Sequence, residues 1–285
     1  MTCDPCLPDQ VRDRQLYRLT RKELTMKPLN TASAFEFKSV RFVLTDMDET
    51  LTYRGRLAAA TYTALERLQQ SGVIVIPVTA APAGWCDQMA RMWPVDGVIG
   101  ENGGFYFRRN PNGHGTKRSF WHSDADREDV TRRLRAIEEE IRVALPRAQL
   151  AEDHPFRMTS LAFAKPEDSD LRETILARLA AAGADVTVNN LWLLAWLGGY
   201  NKLSMAKRIL KQAYDLDVET DRDAVLYAGD STNDAPMFSF FRHTVGVSTV
   251  VDYLPEMPTP PVWITDGPGG VGFVEAAEAI LRSRR

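Results

Sequence analysis

Apolar residues fall along this chain in two textures. Val40, Phe42, Val43 and Leu44, the run 72–78 and the run 224–228 are apolar with little polar interruption, the pattern of strands covered on both faces. The segments between them carry apolar residues at helical spacing. The chain therefore predicts strand 39–45, helix 58–70, strand 73–79, helix 83–92 and strand 95–99. Later come helix 203–214, strand 224–228, a short helix at 234–240, strands 243–248 and 261–265, and helix 271–282. Strands alternating with helices predict an α/β fold with a doubly wound, Rossmann-like parallel sheet.

Between Phe107 and Leu197 the texture changes. A Gly/Pro/Asn-rich stretch at 108–116 predicts a loop or hairpin. Short strands follow at 118–121, 157–164, 184–189 and 192–196, with amphipathic helices at 124–144 and 169–182. Ser123 and Asp124 are good N-cap residues for the first of these helices. Core strands occur on both sides of this block, so it is expected to be an inserted α+β domain, 108–197. The core is then 38–107 with 198–285, preceded by an extension, 1–37, with a possible helix around 9–24.

Composition narrows the classes. Lys and Arg number 35 against 38 Asp and Glu, so neither a nucleic-acid surface nor an acidic tail is indicated. The most apolar stretch, 191–197, is far too short to span a bilayer. The first residues lack the apolar segment of a secretory signal. A soluble cytoplasmic protein is expected, monomer or homodimer, with no membrane or nucleic-acid partner. The three cysteines form no disulfide framework. Cys3 and Cys6 make a C-x-x-C with no second ligand pair nearby and read as incidental thiols, while Cys86 reads as a small core residue.

Chemistry-bearing residues sit at strand ends. Asp46 and Asp48 follow the first strand, where open α/β sheets place their ligand crevice. Two apart in an extended turn, their carboxylates point the same way. Close carboxylates repel unless a proton or cation lies between them, and a hard divalent ion such as Mg²⁺ suits oxygen ligands. A carboxylate can also attack phosphorus. Taken alone, the pair is equally a turn that caps the next helix. The second strand, however, ends at Thr79, Lys202 opens the helix 203–214, and the third strand ends in Gly229-Asp230-Ser231-Thr232-Asn233-Asp234.

In that order, Asp46 and Asp48, Thr79, Lys202, and Asp230 with Asp234 resemble the four motifs of the haloacid dehalogenase superfamily. The resemblance spans roughly residues 39 to 282. The inserted block between the second and third motifs, followed by Gly198-Gly199-Tyr200-Asn201-Lys202, resembles the type IIB (Cof-like) cap of sugar-phosphate phosphatases and of one phosphomannomutase group. Gly100-Glu101-Asn102-Gly103-Gly104 and the stretch 265–273 are similar to further signatures of that group. The resemblance implies Asp46 as nucleophile and Asp48 as general acid and base. It implies Mg²⁺ held by Asp46, the Asp48 main-chain carbonyl and Asp230, with Asp234 a further ligand or an anchor. Thr79 would bond a phosphoryl oxygen, Lys202 would neutralise charge, Asn233 would touch phosphate or Lys202, and Thr50 would brace the loop. The family's usual Thr/Ser-Gly-Arg at the second motif is here Thr79-Ala80-Ala81, so its arginine is missing.

The expected substrate is a small phosphorylated metabolite, a sugar phosphate first. A phosphosugar mutase and a non-catalytic sensor remain as alternatives. Glu101 and Asn102 read equally as contacts to sugar hydroxyls or as a turn. Trp121, Trp192 and Trp196 could stack on a sugar, although packing between cap and core is favoured. His122 and His154 are weak candidates, and Arg108 and Arg109 read as a solvated hinge.

Overall fold

The computed structural model describes residues 26–189 and 191–284; the expected helix at 9–24 and the Cys3/Cys6 pair lie outside them. In the first part of the chain β1 (Lys27–Pro28), β2 (Phe42–Thr45), β3 (Thr52–Tyr53) and β4 (Arg56–Leu57) precede α1 (Ala59–Gln70). Then come β5 (Ile74–Pro77), α2 (Ala83–Met92), β6 (Val98–Gly100), β7 (Phe105–Arg109) and β8 (Thr116–Phe120). The middle holds α3 (Asp124–Ala144), β9 (Ser160–Ala164), α4 (Ser169–Ala181), β10 (Asp185–Val188) and β11 (Trp192–Trp196). The chain closes with α5 (Lys202–Tyr214), β12 (Val225–Gly229), α6 (Ala235–Phe240), β13 (His243–Gly246), β14 (Trp263–Ile264) and α7 (Gly269–Arg282).

Six strands form one sheet in the order β1-β14-β13-β12-β2-β5, every pair parallel. Pleat alternation sends Val43, Val75 and Leu226 to one face, against α1, α2 and α7. It sends Phe42, Leu44, Ile76 and Tyr227 to the other, against α5 and α6. The doubly wound parallel sheet expected from the apolar runs is thus present. From β2 the chain winds outward to β5, whereas from β12 it winds the other way through β13 and β14. The switch point lies between β2 and β12, and ligands bind at the carboxyl ends of strands there.

Two boundaries differ from expectation. β8 pairs antiparallel with β7, and Phe120 packs against the core cluster that holds Phe105 and Phe107. The expected start of the inserted block at 108 therefore falls inside a hairpin of the core, because its outer strand covers α2 rather than joining the later strands. The expected extension 1–37 also includes core structure. β1 adds a parallel strand at the sheet edge, and Leu29 and Phe37 are fully buried.

Beyond Phe120 a separate three-stranded sheet, β10-β11-β9, is antiparallel. One face, with Leu161, Phe163, Leu193 and Ala195, buries α3 and α4 in its own apolar core. Ser123 caps α3 as expected, its hydroxyl accepting from Asp126 N. The other face, with Ala162, Leu194 and Trp196, turns toward the first unit and meets Tyr200 and Ala80. Trp196 stacks on Tyr200 and donates to its carbonyl (2.9 Å), and Trp121 donates to Gly198 O (3.2 Å). These two tryptophans are packing residues. No helix among the described residues is long and apolar enough to cross a membrane.

Candidate active site

Asp46 leaves β2 still held in the ladder, its N–H donating to Ala228 O of β12 (2.9 Å). Its Oδ1 accepts from Met47 N (2.8 Å) and faces Lys202 Nζ at 3.0 Å; no hydrogen bond within the described residues reaches Oδ2. Lys202 occupies the first position of α5, which Asn201 and Ser204 cap reciprocally. A cation there opposes the helix dipole, and its side chain is only 4% exposed. Two carboxylates offset that cost: besides Asp46, Asp234 Oδ1 accepts from Nζ at 2.8 Å. Gly103 makes this approach possible, since a Cβ there would lie 2.5 Å from Asn201 O and its φ is +114°.

Asp230 follows β12, the neighbour of β2. Its Oδ1 accepts from Thr50 Oγ (3.0 Å), so Thr50 braces the first motif against the fourth. Asp234 is tied more tightly. Oδ1 receives Lys202 and the Tyr227 hydroxyl, and Oδ2 receives the N–H groups of Asp230 (2.9 Å) and Ser231 (3.2 Å). Gly229 must lack a side chain for this, because a Cβ would stand 2.4 Å from Asp234 Oδ2. Each Asp234 oxygen thus has both lone-pair directions filled. The resemblance offers Asp234 as a further ligand or as an anchor: these hydrogen bonds make it orient Lys202 and the loop that carries Asp230, and it also stands in the buried carboxylate group.

One carboxylate oxygen each from Asp46, Asp230 and Asp234 lie within 4.8 Å of one another, all three buried. Burial raises the Asp46 carboxyl to about 7, with Lys202 pulling down and Asp234 and Asp48 pushing up. Burial, then Asp234 and Asp46, raise Asp230 to about 9. Burial alone would lower Lys202, but Asp234 and Asp46 more than offset it and hold it charged. Crowded carboxylates that resist ionisation are what a cation relieves. The free oxygens of Asp46 and Asp230 fit a hard divalent ion. The Asp48 carboxyl is not in that cluster; its side chain is open to the cleft. The surrounding walls still raise it to about 6 by desolvation, Lys202 opposing, a value suited to proton exchange near neutrality.

Thr79 is fully buried just beyond β5, the strand that pairs with β2. Its Oγ accepts from Ala81 N (3.0 Å), which leaves the hydroxyl proton available to donate. Asn102 N donates to Thr79 O (3.0 Å) from a left-handed conformation, φ +58°, and its side-chain amide makes no hydrogen bond among the described residues.

Glu101 is corrected. Its buried carboxylate accepts from Ala83 N (3.0 Å) and Met158 N (2.9 Å) on one oxygen. On the other it accepts from Thr159 N (2.8 Å), Thr159 Oγ (2.9 Å) and Ser160 Oγ (2.7 Å). Five donors leave no acceptor capacity for a sugar hydroxyl. Glu101 instead fastens β9 to the start of α2. Asn233 is not brought to Lys202 either: its Oδ1 accepts from Thr187 Oγ of β10 (2.8 Å), a second seam between the units. His122 and His154 serve internal contacts, to Leu197 O (2.7 Å) and to Glu138 (3.2 Å) respectively. Arg109 donates to Arg91 O (2.6 Å).

Arg157 was not legible in the sequence. Its side chain is 2% exposed, pairs with Asp153 through two bonds, and donates to Ala80 O at 3.1 Å. It thereby clamps the loop that presents Thr79. An Asp four residues before an Arg is a common surface pair, and nothing in that spacing signals burial. Tyr227 had a signal in its inward position on β12, but its bond to Asp234 depends on the loop's return.

No family model matches the chain, and no curated protein matches it. Solved structures do. A protein of Thermoplasma acidophilum is similar at 18% identity and TM-score 0.67, covering 85% of this chain and 99% of its own. A haloacid dehalogenase-like hydrolase of Bacteroides thetaiotaomicron is similar at 15% and 0.59, covering 85% and 99%. The sucrose-phosphatase of Synechocystis, solved with sucrose and phosphate, is similar at 13% and 0.58, covering 84% and 97%. At these identities the likeness is one of fold alone, shared with structures that include a haloacid dehalogenase-like hydrolase.

Proposed function

We propose that this protein is a Mg²⁺-dependent phosphomonoester hydrolase that acts on a small phosphorylated metabolite, a sugar phosphate, through transient phosphorylation of Asp46. The observation that carries the proposal is Lys202 held between Asp46 and Asp234, with Asp230 alongside, at the switch point of the sheet. A merely structural ion pair would not need a third buried carboxylate or a free oxygen on the first. Asp46 and Asp230 would hold the ion, which supplies positive charge beside the phosphoryl oxygens when bound.

In this mechanism Asp46 Oδ2 attacks phosphorus, and the substrate ester bond breaks as the new one forms. Lys202 fixes the attacking carboxylate and the Thr79 hydroxyl donates to a phosphoryl oxygen. Asp48, outside the buried cluster, gives its proton to the leaving oxygen and then takes one from the water that hydrolyses the phosphoaspartate. The unit beyond Phe120, seated over this edge through Glu101, Arg157 and Thr187, serves as a cap that limits water. Sugar phosphate as substrate class draws on the sucrose-phosphatase, and on a trehalose-6-phosphate phosphatase related protein that is similar at 13% identity and TM-score 0.57.

Phosphate release across a panel of phosphorylated sugars and other metabolites, with Mg²⁺ and with chelator, tests the proposal. Release from a subset of sugar phosphates only with Mg²⁺, and its loss in Asp46→Asn, is expected. No release from any phosphomonoester, or equal release by the variant, would overturn it.

A further inference from the structure

A cavity of about 570 Å³ lies away from the aspartates, between the first turns of α3 and the β7–β8 hairpin. None of Asp46, Asp48, Thr79, Lys202, Asp230 or Asp234 lines it. Its wall on α3 follows from helical spacing: Arg127, Thr131 and Arg135 recur every four residues on one stripe, with Arg132 beside them. Val130 also lines the cavity, and belongs to the adjoining stripe that with Leu134, Ile137 and Ile141 packs in the second apolar core. The cavity therefore has an apolar floor, including Phe120 and Met158, and a cationic rim.

Two of the rim arginines already have carboxylate partners just outside the cavity, and one does not. Three arginines line the cavity against one carboxylate, that of Glu128. Arg127 lies 4.2 Å over the Phe120 ring and 3.4 Å from Asp124, and Arg132 pairs with Asp129. Arg135 makes no ion pair with any described residue. One guanidinium over an aromatic ring, with others at the rim, suits a planar or tetrahedral oxyanion carried on an apolar ring. The volume is that of a small-molecule site.

The site also touches the seam between the two units. Thr159 and Met158 line it and donate their backbone N–H groups to Glu101. His122, another lining residue, bonds Leu197 O and so bridges the two segments that cross between the units. We propose that this cavity binds a small organic anion, a carboxylate, sulfonate or phosphate on an apolar ring, and that its occupancy tightens the Glu101 seam. The proposal is independent of the catalytic assignment, since the two sites share no residue.

The test is a fluorescence titration of the whole protein with 1-anilinonaphthalene-8-sulfonate, whose ring and sulfonate match the floor and rim. Saturable binding at one site is expected, weakening with added salt. The exposed pair Arg132→Ala/Arg135→Ala should weaken it about tenfold or more, the scale of a lost charge-assisted contact, and Arg135→Glu should do the same. Mg²⁺ with orthophosphate should leave the affinity unchanged, and the probe should slow hydrogen exchange at the Met158 and Thr159 amides. Undiminished binding in both variants would overturn the site. Competition by Mg²⁺ with orthophosphate would overturn it too, by placing the probe at the aspartates. Unaltered exchange at Met158 and Thr159 would overturn the coupling to the seam.

Discussion

Single residues divide the site's work, and each division has a measurable consequence. Asp48 is open to the cleft with a carboxyl near 6, so its contribution should depend on how much the leaving oxygen needs a proton. Asp48→Asn should slow an alkyl phosphate by roughly 10²-fold or more, the usual range for general acid–base catalysis. p-Nitrophenyl phosphate, whose leaving group is already stable as an anion, should lose much less; steady-state rates on the two substrates check this. Gly229 has the opposite character, with no chemistry of its own. A methyl at that position would collide with Asp234 Oδ2, so Gly229→Ala should displace the anchor of Lys202 and lower kcat while leaving the far unit folded. Circular dichroism alongside turnover would show it. These consequences were unevenly legible. Asp46, Asp48, Thr79, Lys202 and Asp230 each end a strand or open a helix, positions set by local pattern. The saturation of Asp234 and Glu101 was not legible, because it depends on donors that arrive from Tyr227 and from the 158–160 segment only in the folded chain.

Elements carry the seams. Glu101 sits in a turn where it and Asn102 adopt left-handed backbone conformations, and its carboxylate gathers donors from α2 and β9. Glu101→Gln exchanges one acceptor oxygen for a donating amide facing N–H and hydroxyl groups. The variant should lose about 2–3 kcal/mol of stability, the scale of charged hydrogen bonds and an unsatisfied buried group. Amide exchange at Met158 and Thr159 should accelerate in parallel. A variant of unchanged melting temperature but raised KM would instead return Glu101 to substrate contact. Element identity itself was written in the sequence: α2, α3 and β11 begin and end where apolar spacing places them. The boundary at 108 fell inside the β7–β8 hairpin because Phe120 looks alike whether it covers α2 or a distant sheet. β1 escaped notice because two residues at a sheet edge carry no periodic signal.

At the scale of the molecule, the metal-free protein stores repulsion at its switch point. Asp46 and Asp230 have native carboxyls raised to about 7 and about 9 from 3.8. Raised carboxyls bind more protons in the native than in the unfolded state, so their stabilisation is complete below about 4 and lost as pH rises through those values. Metal-free protein should accordingly melt lower at pH 8 than at pH 6. Mg²⁺, replacing protons, should raise the melting temperature more at pH 8 than at pH 6; scanning calorimetry at both pH values decides it. The most direct measurement of the central claim is a rapid-quench experiment with a turned-over phosphomonoester, followed by borohydride reduction and peptide mass spectrometry. Borohydride expels the phosphate from an aspartyl phosphate and leaves a primary alcohol, so the expected result is homoserine in place of Asp46 alone, lost on prior hydroxylamine treatment and absent in Asp46→Asn. Turnover with no reduced carboxylate, or reduction at any other residue, would contradict it.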